Sequence, residues 1–182
     1  MSRIQKIIDK LGEYHIDAML VTSHPGELYA FGCNAESYGI ISPKAARFIT
    51  DSRYTEVAQE SVKDAEVVIV DGQRNYAAFI QEFLDAHNIK TLGIEDGYMS
   101  LGQYNYLKDN LTGVELVYAN SLIVTLRGSK DEEELAIMQE AQRITDEAFQ
   151  AILNFIRPGQ TEREVAARLV YELLRRGGER VS

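Results

Sequence analysis

The chain has 182 residues, enough for one well-packed core or for one domain and part of another. A formal net charge of −9 disfavours nucleic-acid binding, because the overall field repels phosphate. The sequence contains no apolar run of the roughly 20 residues that a membrane span requires. Its single cysteine, Cys33, excludes an internal disulfide framework. We therefore expect a cytoplasmic protein with no nucleic-acid or membrane partner.

The first two thirds of the sequence alternate between strand and helix patterns. Helices are predicted where apolar residues recur at helical spacing, and strands where short apolar runs lie between turn residues. The predicted helices are Ser2 to Gly12, a segment around Val57 and Ala58, Asn75 to His87 and a segment after Ser100, and the predicted strands are 18–21, 38–41, 47–50, 66–70, 91–94 and 114–117. His24, Pro25 and Gly26 are predicted to break the chain after the first strand.

This alternation predicts the α/β class. The strands 38–41 and 47–50 flank a short Ser-Pro-Lys loop and are predicted to form a hairpin. A hairpin adds antiparallel pairing to a sheet that is otherwise connected through helices. We therefore expect a mixed β-sheet flanked by helices.

Two amphipathic helices are predicted in the last third of the sequence, with no strand after them. Each is predicted to begin with a capping box, in which a hydroxyl and a carboxylate three residues apart each accept a backbone N–H. The two boxes are Ser129 with Glu132 and Thr161 with Glu164. Between the helices, Arg157–Gly159 contains a proline and a glycine, which end the first helix and form a corner.

The apolar faces of these two helices need a surface to pack against. They contain Met138, Ile152, Leu169 and Leu173, which we expect to drive association or packing between domains. The sequence is accordingly divided into an α/β domain at 1–123, a linker at 124–130 and an incomplete second domain at 131–182.

No group of residues in the sequence forms a self-contained catalytic site. The histidines are scattered and lack metal-ligand spacing: they are His15, His24 and His87. The acidic run Asp131–Glu134 is interpreted as the first turn of a helix, where carboxylates interact favourably with the helix dipole. Asp51 and Arg53 follow a strand end, where a local ion pair is the simpler interpretation and contact with a substrate the alternative.

Three stretches carry more specific motifs. They are Ile49–Tyr54 (ITDSRY), Leu126–Leu135 (LRGSKDEEEL) and Ile156–Val165 (IRPGQTEREV). These motifs resemble those of the proline-specific metallopeptidases of the pita-bread fold, which are Xaa-Pro aminopeptidase and Xaa-Pro dipeptidase, with creatinase as a relative. The resemblance extends over essentially the whole chain.

The resemblance implies the amino-terminal portion of a two-domain enzyme. The first part would be a creatinase-type amino-terminal α/β domain, and the second the first two helices of a truncated pita-bread α+β domain. The full-length parent would hydrolyse the Xaa-Pro bond of peptides with two divalent metal ions, manganese being a common choice. Two aspartates, one histidine and two glutamates hold these ions in the family, and we expect their counterparts to lie after Ser182.

For the chain itself, the resemblance implies no catalytic residue, no metal ligand and no peptidase activity. The chain is expected to form a homodimer, to contribute to oligomerisation and to cap an active site that binds peptide only in the full-length form. Asp51, Arg53 and Tyr54 are the candidate capping or interface residues, whereas Ser129, Glu132, Thr161 and Glu164 are structural helix caps. Two alternatives remain open: a creatinase-like amidinohydrolase, and a non-catalytic binding or oligomerisation module with the same fold.

Overall fold

The computed structural model describes residues 2–179, so Ser182 lies outside the described residues. The chain divides into two compact units, the first ending at Ser129 and the second beginning at Lys130. The elements of the first unit, in chain order, are α1 (Arg3–Leu11), β1 (Ala18–Val21), α2 (His24–Phe31), β2 (Ser37–Ile41), β3 (Ala46–Thr50), α3 (Thr55–Ser61), β4 (Glu66–Ile69), α4 (Tyr76–His87), β5 (Thr91–Ile94), α5 (Leu101–Asn110), β6 (Glu115–Tyr118) and α6 (Asn120–Gly128). The predicted α/β class with a mixed sheet is confirmed.

The described strands form one six-stranded sheet in the order β4-β3-β2-β1-β5-β6. β2 runs antiparallel to β1 and β3, whereas β1 pairs with β5, β3 with β4 and β5 with β6 in parallel. The five other strands therefore all run in one direction. Their carboxyl ends meet at one edge of the sheet, where β2 begins.

Helices cover both faces of this sheet, because successive side chains of a strand point to opposite sides. In β1, Met19 and Val21 join a core that includes residues of α1, α2, α3 and α6. Ala18 and Leu20 join a second core with residues of α4 and α5. All four β1 side chains are fully buried, which explains why this strand is a continuous apolar run in the sequence.

The helix α2 was missed by the sequence prediction, which took His24, Pro25 and Gly26 as a break. These residues instead form the first turn of α2, and the Ser23 hydroxyl caps it by accepting the Gly26 N–H at 3.0 Å. Proline is accommodated here because the first N–H groups of a helix have no partner within the helix. The predicted end of the strand is confirmed, because β1 stops at Val21, but α2 was not predicted, because residues that end a strand can also begin a helix.

A close approach at Gly39 determines how α2 packs on β2. A Cβ atom at Gly39 would lie 2.1 Å from Cε2 of Phe31, whose ring centroid lies 5.1 Å from that of Phe48. We expect Gly39→Ala to lower the free energy of unfolding by about 3 kcal/mol, because two buried rings must move. Urea unfolding followed by circular dichroism measures this.

Gly102 in α5 provides the matched control for that substitution. The nearest atom to a Cβ there, outside its immediate neighbours, lies 3.9 Å away. Gly102→Ala should be at least as stable as the original chain, because a helical glycine costs about 0.5–1 kcal/mol relative to alanine. Equal stability of the Gly39 variant and the original chain would contradict the packing described.

The second unit contains two helices, α7 (Glu132–Leu153) and α8 (Glu162–Leu174), which pack against each other. The N-cap of α8 is Thr161, as predicted. Its hydroxyl accepts the Glu164 N–H at 3.3 Å, while the Glu164 carboxylate accepts the Thr161 N–H at 2.7 Å. The last turns of α8 contain a buried carboxylate, Glu172, which Arg176 and Arg168 contact through their guanidinium groups.

The capping box predicted at Ser129 and Glu132 was wrong by two residues. The N-cap of α7 is Asp131, whose carboxylate accepts the Glu134 N–H at 3.0 Å, and the Glu134 carboxylate accepts the Asp131 N–H at 3.0 Å. Ser129 is instead the residue after α6, and Glu132 is the first residue of α7. Aspartate is as effective an N-cap as serine, and Asp131 with Glu134 has the same spacing.

Two further expectations change in this region. The segment 124–130, predicted as a linker, is largely helical because α6 extends to Gly128, with Ile123 buried in the first unit's core. Of the predicted apolar face, Met138 is exposed, Leu169 and Leu173 are partly buried, and Ile152 is buried and therefore not available for association.

Among the described helices, none combines the length and the apolar character that crossing a membrane requires.

Candidate functional site

A cleft of about 440 Å³ opens at the edge of the sheet where β1, β3 and β5 end and β2 begins. Its lining includes Thr22 after β1, Ser37 at the start of β2, Asp51 after β3 and Tyr98 after β5. The helix after β1 lies on one face of the sheet and the helix after its neighbour β5 on the other. Ligands bind α/β sheets preferentially at such a reversal, and the volume lies in the range of small-molecule sites.

The carboxylate of Glu95 binds the segment that follows β1, next to this cleft. Glu95 follows β5 directly and is buried. It accepts the backbone N–H groups of Thr22 at 2.6 Å and Ser23 at 2.8 Å, as well as the Ser23 hydroxyl at 2.7 Å. Because the same hydroxyl caps α2, Glu95 connects the ends of β1 and β5 to the start of that helix. A Cβ at Gly26 would lie 2.8 Å from Glu95 Oε1, so this position needs a residue without a side chain.

A second buried carboxyl group, Glu27 of α2, holds the loop that enters β2. It accepts the N–H of Ala35 at 3.3 Å, the N–H of Ser37 at 3.2 Å and the Ser37 hydroxyl at 2.7 Å. His24 Nδ1 lies 3.6 Å from its Oε2. Burial raises the pKa of Glu27 to about 7, even though these hydrogen bonds oppose the shift. Glu27 is therefore a group that changes charge near neutral pH.

An ion-pair cluster forms one wall of the cleft. The Arg53 Nε lies 3.0 Å from Asp51 Oδ1, and its Nη2 lies 2.7 Å from Asp51 Oδ2 and 2.5 Å from Glu36 Oε2. The Arg53 guanidinium holds the pKa of Asp51 below its usual value. Asp51 also accepts the Tyr76 hydroxyl at 3.4 Å. The single guanidinium is therefore shared between two carboxylates.

Three tyrosine rings also line the cleft, those of Tyr38, Tyr76 and Tyr98. Tyr38 and Tyr76 pack with ring centroids 5.1 Å apart, and Tyr98 is about half exposed. Burial, followed by the nearby Asp51 charge, raises the pKa of Tyr76 to about 12, so this hydroxyl stays protonated and remains a donor. The lining thus combines carboxylates with aromatic surface.

The sequence prediction placed two of its three candidate residues in this cleft. Asp51 and Arg53 line it, whereas Tyr54 packs against the core that contains α1 and α2. The guanidinium of Arg53 lies 5.1 Å from the centre of the Tyr54 ring. The two buried carboxyl groups, Glu27 and Glu95, were missed. For Glu95 a signal existed, because an acidic residue directly after a buried parallel strand lies at the ligand-binding edge of the sheet.

Among residues 2–179, no three His, Cys, Asp or Glu side chains are grouped so that they could hold a metal ion. His24 lies at the start of α2, and His87 packs its ring 4.5 Å from that of Phe83. These residues do not fit the ligand set of two aspartates, one histidine and two glutamates that the family resemblance implies for the full-length parent.

Comparison with known families matches two consecutive parts of the chain. Residues 3–128 match the creatinase/prolidase N-terminal domain, and residues 136–182 match metallopeptidase family M24. An uncharacterized peptidase of Bacillus subtilis, YqhT, is 33% identical over 178 residues, which cover 97% of this chain and 50% of that protein. An Xaa-Pro dipeptidase of Pyrococcus horikoshii is 28% identical over 180 residues, which cover 98% of this chain and 49% of that protein.

Solved structures give the same result for the fold. An Xaa-Pro dipeptidase from Bacillus anthracis superposes with a TM-score of 0.91 at 30% identity, over 98% of this chain and 50% of that one. An X-Pro aminopeptidase from Thermotoga maritima superposes with a TM-score of 0.86 at 28% identity, over 95% of this chain and 50% of that one. The chain spans about half the length of these relatives. The chain belongs to the creatinase/prolidase family, with the N-terminal domain of that family followed by a segment of a metallopeptidase M24 domain.

Proposed function

We propose that the chain is the amino-terminal part of a dinuclear-metal peptidase that hydrolyses the Xaa-Pro bond at the amino terminus of peptides, as an aminopeptidase or a dipeptidase. The observation that carries this proposal is the TM-score of 0.91 to an Xaa-Pro dipeptidase over 98% of the chain. The two family matches, in the order of the family's two domains, support it. We propose manganese as the metal of the full-length parent.

Within such an enzyme, we propose that this chain contributes oligomerisation and capping of an active site rather than catalysis. The grouping of cleft residues around Asp51 and Arg53 at one sheet edge supports a capping role. Exposed apolar side chains such as Ile137 and Phe149 on α7 support association, and a homodimer is the proposed state. The single cysteine, Cys33, is buried and free, which supports a reducing cytoplasmic location.

The activity assay separates the role of the chain from that of its parent. Purified chain incubated with Mn²⁺ and an Ala-Pro dipeptide should release no proline above a blank, because residues 2–179 group no metal ligands. The full-length parent, under the same conditions, should release proline from Ala-Pro or from an Ala-Pro-Ala tripeptide. Turnover by the chain alone would overturn its non-catalytic role, and a parent inactive on every Xaa-Pro peptide would overturn the peptidase assignment.

A creatinase-like hydrolase is the second candidate for the parent. A creatinase of a Bacillus species is 29% identical over 106 residues, which cover 57% of this chain and 26% of that protein. Adding creatine to the same assay tests it, because hydrolysis of the guanidino carbon–nitrogen bond releases urea. Urea release without proline release would select this candidate. A full-length parent that releases neither proline nor urea, but that still binds a partner through this chain, would be the non-catalytic module.

A further inference from the structure

A short segment, residues 32–36, connects α2 to β2 and forms part of the cleft lining. It begins at Gly32, whose φ of 67° lies in the left-handed region that glycine adopts readily. In the described part of the chain, no backbone group of residues 33–36 takes part in a hydrogen bond to another backbone group. The Thr50 hydroxyl donates to the Glu36 carbonyl at 3.0 Å. The segment is therefore held by side chains rather than by the backbone bonds that hold its neighbour β2.

Glu27 of α2 makes most of these side-chain contacts. Its carboxyl group accepts the N–H of Ala35 at 3.3 Å, the N–H of Ser37 at 3.2 Å and the Ser37 hydroxyl at 2.7 Å. The side chains that the segment buries are small, those of Cys33 and Ala35, so their release would expose little apolar area. The contacts of Glu27 therefore contribute a large share of what keeps the segment closed.

Hydrogen-bond lengths distinguish Glu27 from Glu95, although both side chains are buried. Glu95 accepts two backbone N–H groups at 2.6 and 2.8 Å, whereas Glu27 accepts two at 3.3 and 3.2 Å. Charge-assisted hydrogen bonds are shorter than neutral ones. The longer contacts of Glu27 are thus those of a carboxyl group that carries a proton, in agreement with the burial that raises its pKa to about 7.

Three titratable groups face Glu27. His24 Nδ1 lies 3.6 Å from its Oε2, on the same helix, and the His24 side chain is more than half exposed, so water screens its charge. The Cys33 thiol has a pKa raised by burial and by the Glu27 charge, and the Glu95 charge adds to the rise in the pKa of Glu27. The other charged groups that line the same cleft are Glu36, Asp51 and Arg53. Burial is the largest influence on Glu27, so its charged form is the disfavoured one.

We propose that a protonated Glu27 keeps segment 32–36 closed and that ionisation of Glu27, as pH rises to neutrality, makes the segment open. A buried carboxylate gains hydration when the segment opens, whereas a neutral carboxyl group gains little. The open form exposes Cys33 and removes Ala35 and Glu36 from their place in the cleft lining. The proposal requires neither a metal ion nor peptidase activity, and all the residues involved belong to the first unit.

Linkage gives the direction and the size of the pH dependence. The pKa of Glu27 is about 7 in the closed form and about 4.5 when the side chain is exposed. The equilibrium constant for opening therefore rises with pH between these two values and is constant above them. Between pH 5 and pH 8, the expected rise is about 70-fold.

Cys33 reports the opening, because it is buried in the closed form and is the only cysteine of the chain. The rate of its reaction with dithiodipyridine is measured from about pH 5 to about pH 8, and is divided by the rate for a peptide with the sequence of residues 30–36 at the same pH. This ratio removes the titration of the thiol itself and measures the open fraction. We expect the ratio to rise about 70-fold across this range.

Global unfolding also exposes Cys33, and two measurements separate it from local opening. A local opening exposes little surface, so the ratio should be nearly independent of urea at low urea concentration. Under the same conditions, the amides of Ala35 and Ser37 should exchange faster than those of Met19 and Leu20 in β1. A ratio that rises with urea as steeply as global unfolding does would overturn the local opening.

Matched variants identify the group that titrates. In Glu27→Gln the ratio should stay constant with pH, because glutamine does not ionise. In His24→Gln, and in Glu60→Gln on the exposed side of α3, the ratio should keep its full pH dependence. Ser37→Ala removes one donor to Glu27 without changing a charge, and should raise the ratio about three- to tenfold at low pH. A ratio independent of pH in the original chain, an unchanged pH dependence in Glu27→Gln, or its loss in His24→Gln would overturn the proposal.

Discussion

Replacing Glu95 with alanine should lower the free energy of unfolding by about 3–5 kcal/mol, because each buried N–H left without a partner costs about 1–3 kcal/mol. The backbone N–H groups of Thr22 and Ser23 both lose their acceptor, and the capping hydroxyl of Ser23 loses its own. Urea unfolding of the purified chain, followed by circular dichroism, measures the loss. The amide resonances of Thr22 and Ser23 should also lose their protection against hydrogen exchange.

The neighbouring residue, Asp96, provides the control. It is exposed and accepts the Asn120 N–H at 3.0 Å. Asp96→Ala should therefore cost about 1 kcal/mol, as expected for the loss of one exposed cap-type hydrogen bond. Glu95→Gln should fall between the two variants, because it keeps one acceptor oxygen. Equal stabilities of the Glu95→Ala and Asp96→Ala variants would contradict the role assigned to Glu95.

Replacing Glu27 with glutamine should remove a pH dependence of stability. The pKa of Glu27 is about 7 in the folded chain and about 4.5 when exposed, so between these values the folded state keeps a proton that the unfolded state loses. The free energy of unfolding therefore decreases as pH rises through this window, and this decrease is complete above about pH 7. The difference of about 2.5 pKa units corresponds to about 3 kcal/mol.

The quantity to measure is the difference in unfolding free energy between Glu27→Gln and the original chain, at pH 4 and at pH 8. This difference should shift by about 3 kcal/mol in favour of the variant at the higher pH, because glutamine has no charge to bury. Taking the difference cancels the contributions of groups that titrate independently of Glu27. The control is Glu60→Gln, whose carboxylate faces water in both states. A difference that does not change with pH would show that Glu27 titrates as an exposed residue.

The sheet was predictable from the sequence because its strands carry strong local signals. The strand at 91–94 agrees at both ends with β5, and β1 is the apolar run predicted at 18–21. Both faces of these strands are buried, so nearly every residue is apolar, and the signal does not depend on which strand is the neighbour. The order of the strands could not be predicted from these signals, because strand pairing depends on contacts between segments that are distant in the sequence.

The cleft was only partly predictable, because some of its contacts join residues that are distant in the sequence. Asp51 and Arg53 were identified because they lie two residues apart in a recognisable motif, and their ion pair is local. Glu95 acts on residues 72 and 73 positions earlier in the chain, and no periodicity reports such a contact. Glu27 was missed because the helix that carries it was taken for a break. A sequence in which Pro25 follows a good N-cap, Ser23, supports a helix start as well as a turn.

The position of β1 in the sheet has a consequence for how the chain acquires its structure. β1 lies at the centre, and its partner β5 begins 73 residues later, with Ala18 opposite Leu92. During synthesis, the antiparallel neighbour β2 emerges early, but the other edge of β1 stays unpaired until β5 has left the ribosome. Contacts of such large sequence separation form slowly, and an unpaired apolar strand is prone to aggregation until they do. The arrival of Glu95 beside Thr22, next to the cleft, thus belongs to the late stage of folding.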